Sequence, residues 1–237
     1  MKTALEENYV DVAKLYQELD IGLKVLPQQH RAKATIENIL QCTGELIELV
    51  GIDEISTNLI CDRANLTPPA LYRYFPNRNA VILELAQRFL VHRYGLLVQW
   101  IEQGGIGDGS HDSAVKGLTK MAATLSHNLQ NTVAGKELSK IIRALPALEP
   151  LREKVREHSI NAMLAHLKSF GLSMPEEKAH RLVAMLIEAY LVLLEFVHED
   201  DSRSPSEAIA IACDMAAGQM LQLIGPKDGT SISVAHA

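Results

Sequence analysis

The sequence predicts an all-α protein. Apolar residues recur three and four positions apart over most of its length, the spacing that gathers them on one side of a helix. Between those stretches stand Gly, Pro, Ser and Asn, the residues that start and stop helices. No run alternates β-branched and polar residues in the way a half-buried strand does.

Each element can be justified in turn. Tyr9, Val12, Ala13, Tyr16 and Leu19 fall at helical spacing, so residues 1–30 read as an N-terminal extension: an extra amphipathic helix followed by a linker, "LPQQH". Ile36, Ile39, Leu40, Thr43, Leu46, Ile47 and Val50 form one stripe of a helix that Gly51 ends. Two short helices are expected over Thr57–Ala64 and Thr67–Tyr74, and a long one over Asn77–Glu102. The run "GGIGDGS" from Gly104 to Ser110 reads as a flexible connector, because neither a preceding strand nor a following Gly-Lys-Ser/Thr makes it a phosphate cradle. Further helices are expected over Ser113–Gln130, Val133–Ala144, Leu148–Phe170, Glu176–Glu199 and Pro205–Ile224. Ser173 and Ser204 each precede a glutamate by three residues, the capping-box spacing, and Pro205 suits a first helical position. Pro146 and Pro150 bracket a break between helices. The tail over residues 226–237 is small and polar and is expected to be disordered.

Composition bounds the function. At 237 residues the chain can bury a sizeable core, as one large domain or two small ones. A net charge of −6 excludes a protein that is basic throughout, which leaves any nucleic-acid contact to local charge. Cys42, Cys61 and Cys213 are widely spaced and form no metal or redox cluster, so they read as reduced thiols of a cytosolic protein. No basic flank precedes an apolar run at the N-terminus, so no secretory signal is expected. The longest apolar stretch, Leu182 to Val197, is broken by Glu188 and Glu195 and is shorter than the roughly 20 residues that span a bilayer. A soluble, cytoplasmic chain without membrane contact is expected.

The most informative stretch is "STNLICDRANLTPPALYRYFPNR", Ser56 to Arg78. Two short helices joined by a tight turn make a helix-turn-helix. Ile55, Leu59 and Ile60 can pack inward, while Cys61 and Ala64 are small where the two helices cross. The turn needs a residue that tolerates a left-handed backbone, and Asn65 is the best choice after glycine. Thr67 is placed to cap the second helix, with Pro68 and Pro69 in its first turn, where missing N–H groups cost little. Leu71 and Phe75, four apart, face the core, which turns Pro68, Pro69, Tyr72 and Arg73 to solvent, where a recognition helix presents its contacts.

This segment resembles the DNA-binding domain of the TetR family of transcriptional repressors. The resemblance rests on Ile60, Cys61, Ala64, Asn65, Leu66, Thr67, Leu71, Tyr72, Arg73, Tyr74, Phe75 and Arg78, and covers about Arg31 to Phe89. Cys61 stands where the family has alanine, Asn65 where it has glycine, and Arg78 where lysine is usual. Pro68 and Pro69 occupy positions that usually offer lysine and glycine to DNA, so apolar contact with thymine methyls replaces phosphate contact there. The resemblance implies phosphate contacts from Ser56, Thr57, Thr67, Tyr72, Tyr74 and Arg78, with Pro68, Pro69, Ala70 and Arg73 facing base edges. Arg73 is the residue able to take a guanine through two hydrogen bonds. Arg63, Arg73, Arg78, Arg88 and Arg93 against Glu84 make the stretch locally basic, and Lys24, His30, Arg31 and Lys33 can add an arm.

The remaining helices supply an interface and a pocket. On Glu176–Glu199 one stripe runs through Leu182, Met185, Leu186, Ala189, Leu193 and Phe196, another through Val183, Ile187, Tyr190, Leu191, Leu194 and Val197; one stripe can pack on its own domain and the other needs a partner. The last helix offers Ala208, Ile211, Ala212, Met215 and Gln219, with small residues that permit close approach. Two such helices from each of two chains make a four-helix homodimer interface, as the resemblance also implies, and a dimer reads a palindromic operator in double-stranded DNA. By resemblance, the middle helices enclose a pocket for a small-molecule effector, with Trp100, Met121, Leu125, Arg143, Phe170 and Tyr190 as its candidate lining. The domain expectation is therefore 31–80 for DNA binding and 81–225 for ligand binding and dimerisation.

The rival class is a helical enzyme. Glu177/His180 and Glu195/His198 have the Glu-x-x-His spacing of di-iron ligands, but eighteen residues on one helix separate them by about 27 Å, too far to share a metal. No Gly-x-Ser-x-Gly or His-Glu-x-x-His occurs. The expectation is a ligand-released repressor with no enzymatic activity, catalytic residues, metal or cofactor. An activator, or an adaptor that recruits a protein through Tyr9–Leu19, uses the same fold.

Overall fold

The computed structural model of the chain describes residues 30–199 and 205–224. The extra N-terminal helix, Lys24 of the basic arm, Ser204 of the second capping box and the polar tail lie outside the described residues.

Nine α-helices and one short 3-10 turn account for nearly all of the described residues: α1 (His30–Val50), α2 (Thr57–Ala64), α3 (Pro68–Tyr72), α4 (Arg78–Glu102), α5 (His111–Asn131), α6 (Gly135–Ala144), the turn Pro146–Leu148, α7 (Glu149–Lys168), α8 (Glu176–Glu199) and α9 (Pro205–Leu223). Among the described residues the sole extended pairing is one antiparallel bridge, Leu172 with Ile224. The all-α expectation holds. None of the described helices is long and apolar enough to cross a membrane.

The described residues divide into two compact units. One runs to Leu96 and includes Thr124–Arg156; the other comprises Leu97–Ala123 and the described residues from Glu157 onward. In the first, Ile39, Ile47, Ile60, Leu71, Leu138 and Ile142 are fully buried. In the second the core runs through Met163, Leu167, Val183, Ile187, Leu194 and Ala217.

Boundaries differ from expectation where local chemistry outweighs periodicity. α1 begins six residues before Ile36, at His30. Arg31, Ala32 and Lys33 are strong helix formers and continue the helix without adding to its apolar stripe. α6 begins at Gly135, two residues later than its apolar pattern suggests, because Ala134 is held left-handed at φ 58°. Glu48 of α1 fixes that corner, its Oε1 accepting from Ala134 N at 2.7 Å. Gly44 of α1 lies against Val133, whose Cγ1 would be 3.0 Å from an added Cβ.

The expected capping box at Ser173 is not formed. The Ser173 hydroxyl donates to Gln222 O at 2.6 Å, and its N–H to Leu223 O at 2.9 Å, so this serine ties the entry of α8 to the end of α9. α8 begins at Glu176, so Pro175 holds the N-cap position, its carbonyl accepting from Lys178 N and Ala179 N, and Ser173 lies two residues too early to cap.

Candidate nucleic-acid interface

The helix-turn-helix is assembled from local caps upward. Ser56 is the N-cap of α2, extended at φ −127°, and its Oγ accepts from Leu59 N at 3.1 Å. Asn65 ends α2 in the left-handed region at φ 53° and ψ 50°. Its N–H bonds Asp62 O, and Leu66 N bonds Cys61 O at 2.9 Å, which satisfies carbonyls the helix leaves open. Ile60, Cys61 and Ala64 are buried where α2 packs on α1 and α3. A further tie has no local signal in the sequence: Asn38 Nδ2 on α1 donates to Ala64 O at 3.0 Å, closing the end of α2 from outside.

Thr67 sits at the N-cap of α3 in an extended conformation, but its side chain makes no capping bond. The reason lies in the two prolines that follow. A cap hydroxyl accepts from the second or third helical amide. Pro69 has no amide to give, and Ala70 N bonds Thr67 O instead, at 2.9 Å. Prolines that preset the first turn thus displace the cap and leave the Thr67 hydroxyl on an exposed residue.

Leu71 is fully buried and Phe75 nearly so, and these two anchors decide which way α3 faces. Pro68, Pro69, Tyr72 and Arg73 are exposed, Tyr72 at 50%, while Ala70 and Tyr74 are half-buried. On that outer side Thr57 Oγ1 and Tyr72 Oη lie 3.3 Å apart. Two residues expected to take phosphates therefore share a hydrogen bond across α2 and α3.

The five arginines of the basic stretch differ in their surroundings. Arg63 places Nε and Nη2 on Glu45 Oε2, at 2.8 and 2.6 Å. Arg88 bonds Glu37 at 2.6 Å and Glu84 at 2.8 Å. Burial opposes the Arg88 charge, but the two carboxylates outweigh it and hold its pKa above the ordinary value. The Arg63 hydrogen bond, aided by Gln41, holds the Glu45 carboxyl below its usual range. Arg93 is buried, with Nη1 on Ser139 Oγ at 3.2 Å and its guanidinium about 6 Å from the Phe89 and Tyr94 rings. Arg78 turns Nη1 back onto two backbone carbonyls, Asp53 O at 3.1 Å and Ile55 O at 2.5 Å. Arg73 remains exposed on the outer side of α3.

Set against Glu84 alone, these arginines look more basic than they are, since Glu37 and Glu45 come from α1. Their signal was available: Glu37, Gln41 and Glu45 stand four apart and make one polar row on that helix. The thiols nearby are inert, burial pushing the pKa values of Cys42 and Cys61 up.

The other candidate residues are distributed over both units. Trp100 and Met121 are buried and Phe170 half-buried in the second unit. Tyr190 in the same unit donates its hydroxyl to Leu118 O at 2.6 Å, and burial together with Cys213 keeps that phenol protonated. Leu125 is buried and Arg143 exposed in the first unit. On α8 the stripe through Val183, Ile187, Leu191, Leu194 and Val197 is buried. The other stripe leaves Met185 66% and Phe196 50% exposed, with Leu182, Leu186 and Leu193 half-buried. On α9 Met215 is 67% exposed, Gln219 exposed, and Ala208 and Ala212 half-buried. Glu177 and His180 have different partners, Arg181 and Glu157, while Glu195 and His198 are buried. No group of three metal-ligating side chains occurs among the described residues.

Comparison with known proteins agrees with this geometry. Residues 39–85 match the family model described as bacterial regulatory proteins, tetR family. No curated protein matches the sequence. Among solved structures, the chain is similar to a Mesorhizobium loti MAFF303099 protein assigned to the TetR-family transcriptional regulators, at 15% identity and a TM-score of 0.62 over 81% of this chain and 98% of that one. It is similar to SmeT, the repressor of the Stenotrophomonas maltophilia multidrug efflux pump SmeDEF, at 16% identity and a TM-score of 0.61 over 84% and 94% of the two chains. The SmeT–triclosan complex aligns at 16% identity and a TM-score of 0.59 over 86% and 98%.

Proposed function

We propose that this chain, a DNA-binding transcriptional regulator of the TetR family, acts as a dimeric repressor that a small molecule releases from a palindromic operator. The observation that carries the DNA contact is the facing of α3. Buried Leu71 and Phe75 pin one side, and exposed Pro68, Pro69, Tyr72 and Arg73 occupy the other. In this reading Arg73 reads a guanine, Pro68, Pro69 and Ala70 meet base edges, and Ser56, Thr57, Thr67, Tyr72 and Tyr74 take phosphates.

The dimer is supported by apolar surface. Met185, Val192 and Phe196 on α8 and Ile211 and Met215 on α9 are each at least half exposed. A second copy covers such a face with its own α8 and α9, and two recognition helices then meet successive major grooves. Residues 31–80 carry DNA binding and 81–225 ligand binding and dimerisation, in the cytoplasm. The effector class is suggested by SmeT, which forms a complex with triclosan. A small apolar molecule enclosed by residues such as Trp100, Met121 and Phe170 would shift the equilibrium between binding and non-binding arrangements by its preference for one of them. Regulation by this route requires no catalysis, so the chain is proposed not to be an enzyme.

The test is selection of random duplex DNA by the purified protein, with Arg73→Ala alongside. A palindrome recovered by the wild type, with specificity relaxed in the variant, is the expected result. No enrichment at low salt, where phosphate attraction is strongest, refutes the reading. The position of the recovered operator relative to a promoter then separates repression from activation.

A further inference from the structure

We propose that Arg78 is a positioning residue: it sets the start of α2 for DNA and touches no phosphate itself. The proposal rests on the reading of α2 and α3 as the DNA-contacting helices.

Arg78 is the first residue of α4, and the turn that roots it is capped by Asn77, whose Oδ1 accepts from Ala80 N at 2.9 Å. From that fixed base one nitrogen, Nη1, reaches Asp53 O at 3.1 Å and Ile55 O at 2.5 Å. These carbonyls belong to the connection between α1 and α2, where no helical amide is available to them. A charged donor makes such bonds roughly twice as strong as a neutral one. Ile55 is buried at 2% and is the residue immediately before the α2 cap, Ser56. Arg78 therefore fixes the backbone from which Ser56 and Thr57 project.

The effect reaches α3 through the Thr57–Tyr72 hydroxyl pair, 3.3 Å apart. To bind a phosphate through Nη1, the guanidinium would have to release two carbonyls, one of them partly buried, and loosen the α2 start that other phosphate contacts need. The chemistry thus commits Nη1 to a structural tie, and the salt slope tests whether Nε or Nη2 meets a phosphate as well.

Leu59 N and Ile60 N bond the Ser56 side chain and carbonyl, so their exchange with solvent reports the α2 start. In DNA-free Arg78→Ala protein, exchange at these two amides is expected to quicken about tenfold or more, with the centre of α1 unaffected. Affinity for random duplex DNA should fall severalfold. The slope of log affinity against log salt should stay that of the wild type, because bound DNA re-forms the same phosphate contacts at an ordering cost. Unchanged exchange refutes the proposal. So does a slope shallower by about 0.9 for each protomer, about 1.8 for a bound dimer, the change that one lost phosphate contact per protomer produces. Should Arg78→Ala fail to fold, Arg78→Gln, which keeps a neutral amide donor, carries the same two readouts. Wild-type protein that binds no duplex at low salt refutes the DNA-contacting reading and the proposal with it. With a wild type that binds, the exchange and the slope bear on Arg78 alone.

Discussion

The hydroxyls of Thr57 and Tyr72 lie 3.3 Å apart, one at the first position of α2 and the other at the last position of α3. Both residues stand at the rim of the helix-turn-helix, and either oxygen can donate to the other. A pair of this kind orients each hydroxyl before DNA arrives, so less side-chain freedom is lost on binding.

Tyr72→Phe removes one partner and leaves the ring in place. It should weaken binding to the selected duplex about tenfold, the scale of a lost hydrogen bond, while melting changes little. A titration at fixed salt checks this. Unaltered affinity would show that the pair meets no phosphate.

Asn65 adopts φ 53°, a region glycine enters freely and β-branched residues resist. Asn65→Gly should leave stability within a few tenths of a kcal/mol, whereas Asn65→Val should cost about 1–2 kcal/mol through left-handed strain. Chemical denaturation of both variants decides it. Equal stabilities would mean the turn rearranges around valine.

His166 accepts from Ile106 N at 3.3 Å through Nε2, an arrangement open only to the neutral ring. Burial holds its pKa below the ordinary imidazole value of 6.5. The folded state therefore binds this proton less readily than the unfolded chain. Stability from the contact is complete above pH 6.5. It declines as pH falls from there towards the depressed folded value, and then levels off. Unfolding midpoints measured across that range should show the decline in the wild type and a flatter profile in His166→Gln. Parallel profiles would remove His166 from the account.

Met185 and Phe196 lie on the exposed stripe of α8. Charging both, as Met185→Glu with Phe196→Glu, should yield a folded monomer in sedimentation, since exposed positions tolerate glutamate but a dimer core does not. The salt slope on a palindromic duplex should fall towards half. A dimer that persists would place the interface elsewhere.

Much of the architecture was legible in the sequence because it depends on neighbours in the chain. α2 and α8 fall at the bounds their patterns predict, Thr57–Ala64 and Glu176–Glu199. Asn65 occupies the left-handed position the turn requires, and Leu71 with Phe75 fixes the facing of α3. Each of these depends on interactions within about four residues, where periodicity and backbone preference are reliable guides.

What lay beyond local pattern was the choice among competing partners. Ser173 carried the spacing of a cap for α8, but the helix starts at Glu176 behind Pro175, and the fold brings Gln222 and Leu223 to the serine instead. The arginines near the helix-turn-helix read as one basic surface until α1 brought Glu37 to Arg88 and Glu45 to Arg63. Arg78, expected to meet a phosphate, is also the residue to which the connection before α2 presents two carbonyls. α8 carried two apolar stripes of similar quality, and packing within its unit buried one and left the other open. By itself the sequence determined the helices, the turn and the face of α3, because short-range sterics and hydrogen bonds need no distant partner. The tertiary structure alone decided which charges and stripes remain available, because a polar group or apolar surface is satisfied by whatever the fold brings within reach.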